Sequence, residues 1–287
     1  MTMLTVEKDS LDRPVELHYE DIGYGPTVVL VHGWPFDHGM WESQRYALAN
    51  GGCRVVAYDQ RGFGRSSKPA EGYHYNRLTD DLRALLDALD LQDVALVGFS
   101  MGAGQVVHYM SRNLGQRVRQ VALVSSVTPS LPGHDSAGDS GFFQTMVAGA
   151  RADRLACIEP LARQMFAGAQ YSGASDATLE WMMKSAAFSA SSKAMVDTAL
   201  AMLETDLTGA MKAVANVPSL VIHGTEDRIA PFASNGLPTA GMLPDCTFKP
   251  YEGAPHGLFA THAGQLSEDL LKFIHNPPTY VLRSTGT

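Results

Sequence analysis

The chain has 287 residues, 45% of them hydrophobic, enough to bury a large core in one domain with a sizeable insertion. Its formal net charge of -8 comes with no run of like charges and no basic face, which excludes nucleic acid and anionic membrane surfaces as partners. Three cysteines, Cys53, Cys157 and Cys246, stand far apart without a CxxC pair, so they read as reduced core thiols rather than a disulfide frame or zinc site.

The first ten residues, MTMLTVEKDS, lack a basic region followed by an apolar one, and no run of about 18 apolar residues occurs anywhere. The expectation is a soluble, cytoplasmic protein. The first strand-like run is TVVLVHG, 27–33, and it leads into Trp34 and Pro35. A proline pushes the residue before it out of the helical region, so Trp34 is expected to be extended, with its amide direction set. His32 is expected to organise this loop. The next run, RVVAYD at 54–59, is followed by Leu78, Leu82, Leu85, Leu86 and Leu89 at helical spacing, with Asp80, Asp81, Arg83 and Asp87 assigned to the opposite face.

VALVGFS, 94–100, runs into the helical pattern MGAGQVVHYMSRNL and leaves Ser100 on the turn between them. A serine on so sharp a turn takes a strained backbone, and side chains two positions before and after it would collide; Gly98 and Gly102 remove them. The spacing of Gly98, Gly102 and Gly104 does not fit a dinucleotide fingerprint, and no phosphate-loop lysine is present. VALVSS, 121–126, follows.

From 128 to 215 the strand pattern breaks, and this segment is read as a helical lid inserted into a core formed by 1–127 and 216–287. Seven of the 13 methionines lie in it (146, 165, 182, 183, 195, 202 and 211), beside Phe142, Phe143, Phe166, Trp181 and Phe188. They are divided between ordinary helix packing and the wall of a hydrophobic pocket, and His134 is a candidate to line the lid. Strands return at SLVIHG, 219–224, and TFKPYEG, 247–253. Runs that are apolar on both faces and separated by helices read as an α/β fold with a mostly parallel sheet covered on both sides.

A serine hydroxyl needs a histidine base and a carboxylate that fixes the histidine tautomer, supplied in the order Ser, Asp, His. His256, in EGAPHGLF after the last strand run, is the expected base, and Asp227, after SLVIHG, the expected acid. Glu226 is expected in solvent, Asp206 is the second candidate acid, and His223 is expected to make a structural hydrogen bond. The oxyanion donors are expected to be the backbone N–H groups of Met101 and Trp34. The tail after Phe273 is read as peripheral.

With VHGWPFDHGMWESQ, YDQRGFGRSS, VGFSMGAG, VIHGTEDRIAP and GAPHG in this order, the chain resembles the α/β-hydrolase superfamily over about residues 15–275. Within it, the chain is most similar to the cofactor-free haloperoxidase and arylesterase group, also called perhydrolases. The resemblance implies an α/β-hydrolase fold with Ser100 as nucleophile, Asp227 as acid, His256 as base, and Trp34 and Met101 as oxyanion donors. It also implies a small ester or lactone substrate, no cofactor and no metal; self-association into a homo-oligomer is left open. The expected activity is ester hydrolysis. The alternatives are a metal-free peracid former of the haloperoxidase type, a carbon–carbon bond hydrolase, and a ligand receptor without catalysis. Epoxide hydrolases and haloalkane dehalogenases place an Asp where this chain has Ser100.

Overall fold

Every apolar run named above becomes a strand of one sheet. The structure is a computed structural model and describes residues 2–131, 141–153, 158–166, 176–243 and 246–276. Its strands are β1 (Thr2–Lys8), β2 (Pro14–Gly23), β3 (Thr27–Val31), β4 (Arg54–Tyr58), β5 (Val94–Phe99), β6 (Val118–Val124), β7 (Ser219–Gly224) and β8 (Thr247–Tyr251). They form an eight-stranded sheet in the order β1-β2-β4-β3-β5-β6-β7-β8. From β4 to β8 the neighbours are parallel, whereas β2 runs antiparallel to both β1 and β4.

The β1–β2 hairpin has no counterpart in the sequence reading. β1 is largely exposed, and β2 buries Val15 and Leu17 while leaving Glu16 and Glu20 toward the rim, so neither carries the continuous apolar signal of a central strand. Asp9 closes their turn by accepting the Leu11 and Arg13 N–H groups at 2.9 and 3.0 Å.

Alternate residues of the central strands point to opposite faces and are buried on both. Val28, Leu30, Val55, Ala57, Val97 and Phe99 meet Leu48 of α1 (Glu42–Asn50) and Leu266 and Leu270 of the helix Ala263–His275. Val29, Val31, Val56, Leu96 and Leu123 meet Leu82 and Leu85 of α2 (Tyr75–Ala88), with Val106 and Met110 of α3 (Met101–Arg112). Each such Val or Leu is worth about 1.5–3 kcal/mol when fully buried.

The leucine spacing placed α2 correctly, but Asp81 is not on its outer face. It is 3% exposed and takes both arms of the Arg61 guanidinium at 2.6 Å. Position 81 lies three residues after Leu78 and four before Leu85, which is inward by helical geometry.

Between β6 and β7 lie α4 (Gly141–Ala152), α5 (Ile158–Met165), α6 (Asp176–Ser189), α7 (Ser192–Glu204) and α8 (Met211–Val214). The segment leaves and rejoins the sheet at one point, where the Leu207 N–H donates to Pro129 O at 2.9 Å. Met165, Met183, Met195 and Met202 are buried among these helices, whereas Met211 packs beneath α3 on the far face of the sheet. Phe166 is buried, whereas Phe188 is 64% exposed. His134 and Cys157 lie outside the described residues, as do the tail beyond 276 and the side chains of Phe142, Phe143, Met146 and Trp181. Cys53 and Cys246 carry thiols, and that of Cys246 donates to Ala240 O at 3.6 Å. Among the described residues, no helix is long and apolar enough to cross a membrane.

Candidate active site

β5 passes into α3 through a single residue, Ser100, whose φ of 52° and ψ of -116° place it in backbone space that L-residues rarely adopt. Its N–H donates to Val124 O at 3.0 Å, and its carbonyl accepts the Ala103 N–H at 3.0 Å, so strand and helix are both tied to the turn. A Cβ on Gly98 would come within 2.6 Å of the Ala103 backbone, and one on Gly102 would strike the Val31 and His32 carbonyls. The two glycines therefore remove the collisions expected from the sequence. Gly104 has a different reason, because a Cβ there would strike the Tyr75 ring of α2.

Asp227 follows β7 and His256 follows β8, which brings both to the carboxyl edge of the sheet beside Ser100. His256 Nε2 lies 2.9 Å from Ser100 Oγ, and His256 Nδ1 lies 2.7 Å from Asp227 Oδ2. All three side chains are buried. Asp227 Oδ1 accepts the Ile229 and Ala230 N–H groups at 2.9 and 2.8 Å, which fixes the carboxylate plane. Burial opposes its ionisation, but His256 and His223 beside it outweigh that and hold the carboxyl well below the usual range. Glu226 is exposed, as expected. Asp206 is also exposed, and its carboxylate accepts the Thr208 N–H at 2.8 Å, away from the other two groups.

The loop after β3 holds Trp34 in a turn closed by the Phe36 N–H donating to Gly33 O at 2.9 Å. Among the described residues, the amides of Trp34 and Met101 donate to no protein acceptor. Met101 opens α3, where an unpaired N–H and the positive end of the helix dipole coincide. His32 organises its surroundings as expected: Nδ1–H donates to Gly33 O at 3.0 Å, Nε2 accepts the Gln60 N–H at 2.9 Å, and burial keeps the ring neutral.

Four supporting contacts escaped the sequence reading. Ser125 Oγ donates to His256 O at 2.9 Å, the Gly257 N–H donates to Met165 O at 2.8 Å, and the Trp34 indole N–H donates to Met195 O at 3.0 Å. Ser189 Oγ also donates to Asp37 Oδ2 at 3.1 Å. Three of the acceptors are main-chain carbonyls, which no residue type announces. His223 was legible, but only as a generic donor: Nε2 lies 2.8 Å from Ala230 O and 3.2 Å from Asp227 Oδ2.

The family model for the α/β hydrolase fold matches residues 26–263. A non-heme chloroperoxidase of Streptomyces lividans is 35% identical over 90% of this chain and 95% of its own length. A bifunctional esterase/perhydrolase of Acinetobacter calcoaceticus is 30% identical over 91% of this chain and 97% of its own. A bromoperoxidase from Bacillus anthracis superposes with a TM-score of 0.89 at 37% identity, covering 96% of this chain and 99% of that one.

Proposed function

Because the chain belongs to the α/β-hydrolase family, in the group of non-heme haloperoxidases and esterase/perhydrolases, we propose that it cleaves small carboxylic esters or lactones through an acyl-enzyme on Ser100. The observation that carries this reading is the unbroken line from Ser100 Oγ through both ring nitrogens of His256 to Asp227 Oδ2, at 2.9 and 2.7 Å.

In the proposed reaction, His256 Nε2 takes the hydroxyl proton as Ser100 Oγ bonds to the ester carbonyl carbon, and the carbonyl oxygen becomes an oxyanion. The Trp34 and Met101 N–H groups receive that charge without reorganising. Asp227 holds the His256 ring so that Nε2 faces the serine, and it stabilises the imidazolium that forms. His256 then passes the proton to the departing alcohol, and water, activated by the same nitrogen, releases the acid and restores Ser100. The segment 128–215 acts as the lid that selects the acyl group, a role supported by its contacts at Trp34 and Gly257.

A second reading is favoured by the esterase/perhydrolase relative. Hydrogen peroxide replaces water in the last step, so the acyl group leaves Ser100 as a peracid. No residue changes role.

A panel of p-nitrophenyl esters and lactones of graded acyl length, assayed with and without peroxide, tests both readings. The expected result is ester turnover that Ser100→Ala abolishes while circular dichroism stays unchanged. Turnover that survives Ser100→Ala overturns the assignment.

A further inference from the structure

Two histidines outside the site, His18 and His38, are 2% and 8% exposed. Their rings meet edge to face with centroids 5.1 Å apart, yet their partners are opposite in kind. His18 Nδ1–H donates to Thr2 O at 3.2 Å and His18 Nε2 faces the Arg65 guanidinium at 3.4 Å, so one nitrogen must donate and the other accept. That pattern fits only a neutral ring. His38 Nδ1 lies 2.6 Å from Asp59 Oδ1 and His38 Nε2 lies 3.2 Å from Glu20 Oε1. Carboxylates only accept, so both ring nitrogens of His38 must donate.

Neither carboxylate is free to supply the proton instead. Glu20 Oε2 accepts from Arg45 Nη1 at 2.5 Å, and Asp59 also accepts the His38 and Arg65 N–H groups, each at 2.8 Å. His18, His38 and Asp59 are the only residues among those described with the spacing of a metal cluster. The ring nitrogens of His18 are engaged by Thr2 O and Arg65, His38 Nδ1 bonds Asp59, and the nearby Arg45 and Arg65 guanidiniums disfavour a further cation.

His38 belongs to the loop between β3 and α1 that carries Trp34. Asp59 directly follows β4, and Glu20 lies on β2. We propose that His38 is an imidazolium clamp, charged at neutral pH, that fixes the 33–41 loop, and so the Trp34 N–H, to the edge of the sheet. Its kinetic consequence rests on the serine-hydrolase reading above; its charge state does not.

The charged and titratable groups facing His38 are Asp59, Glu20, His18, the loop's own Asp37 and neutral His32, and Arg45 and Arg65 behind the carboxylates. Burial works against the imidazolium, but Asp59, Asp37 and Glu20 outweigh it and raise its proton affinity above the ordinary value. The Asp59 and Glu20 carboxyls are held low despite their burial, by His38 for Asp59 and by Arg45 and His38 for Glu20. A raised folded-state value means the stabilisation is complete below about pH 6.5 and is lost as pH rises through the folded value.

The test uses the full chain with nitrogen-15-labelled histidine. NMR should show His38 with both nitrogens protonated at pH 7 and beyond, with His18 neutral in the same spectra. Glu20→Gln keeps a hydrogen-bond partner but removes one charge, so it should lower the pH at which His38 loses its proton. The alkaline limb of kcat should move down with it. His38→Gln should speed amide exchange in 33–41 and lower kcat about ten- to a hundredfold with KM little changed. A neutral His38 ring at pH 7 overturns the proposal, as does His38→Gln leaving amide exchange in the loop unaltered. Wild-type protein without ester turnover would instead remove the hydrolase reading and leave the spectra and exchange rates to decide the clamp.

Discussion

Asp227 Oδ2 is shared by two histidines: His256 Nδ1 lies 2.7 Å from it and His223 Nε2 lies 3.2 Å from it. The first is the expected partner. The second makes His223 a support for the proposed acid, and removing its N–H takes away one of the interactions that keep the carboxyl ionised.

His223→Met is therefore expected to lower kcat/KM about ten- to a hundredfold, since a hydrogen bond to a charged group is worth about 1.5–3 kcal/mol. The acid limb of the pH profile should move to higher pH. Asp227 is held low in the folded protein, so its stabilisation is present above about pH 4 and disappears as pH falls through the folded value; in the variant that loss starts at higher pH. His223→Gln, which can present an N–H at a similar distance, should restore part of both. A profile unchanged in His223→Met would remove this role.

Trp34 links the proposed oxyanion loop to α7 through the indole hydrogen bond to Met195 O at 3.0 Å. Trp34→Phe keeps the backbone N–H and most of the ring but removes that bond. The expected loss is about 0.5–1.5 kcal/mol in urea unfolding, together with a fall in kcat that depends on acyl length, because the lid would be held less firmly at that point. Equal effects on acetyl and longer esters would argue against a lid role for the segment.

Gly102→Ala tests the elbow itself. Its Cβ would press on the Val31 and His32 carbonyls, which belong to the strand end beneath Trp34. Overpacking of this kind costs about 1–3 kcal/mol, and the relief available is a shift of α3 away from β3. The shift would carry Ser100 Oγ off its 2.9 Å contact with His256, so activity should fall far more than thermal stability. Gly104→Ala, which would meet the Tyr75 ring instead, should cost stability without that disproportion.

The legible and illegible parts of the molecule divide along a physical line. β3 to β8 and the elbow were readable because strands buried on both faces need unbroken apolar runs, and because Ser100 at positive φ needs its flanking glycines. Asp227 and His256 were readable because each follows one of those strands. The β1–β2 hairpin was not, since an exposed edge strand needs no such run. The Asp59–His38–Glu20 chain joins three segments distant in sequence, and the support at Met165 and Met195 uses carbonyls that every residue possesses. The burial of Asp81 could have been found, because counting 78, 81, 85 puts it on the leucine face.

Asp81 and Arg61 supply the remaining prediction. Arg61 is 1% exposed and binds Asp81 with two bonds of 2.6 Å, while the same guanidinium reaches Glu7 of β1 at 2.7 Å. One residue thus joins the hairpin, the loop after β4, and α2. Arg61→Met would strand the Asp81 carboxylate in the core, a loss of about 3–5 kcal/mol, because an uncompensated buried charge costs more than the pair contributes. Arg61→Met combined with Asp81→Leu removes both charges and should recover most of that stability. Urea unfolding of the two single variants and the double gives the coupling directly. A double variant no more stable than Arg61→Met alone would show that the Glu7 link, rather than the buried pair, holds this corner together.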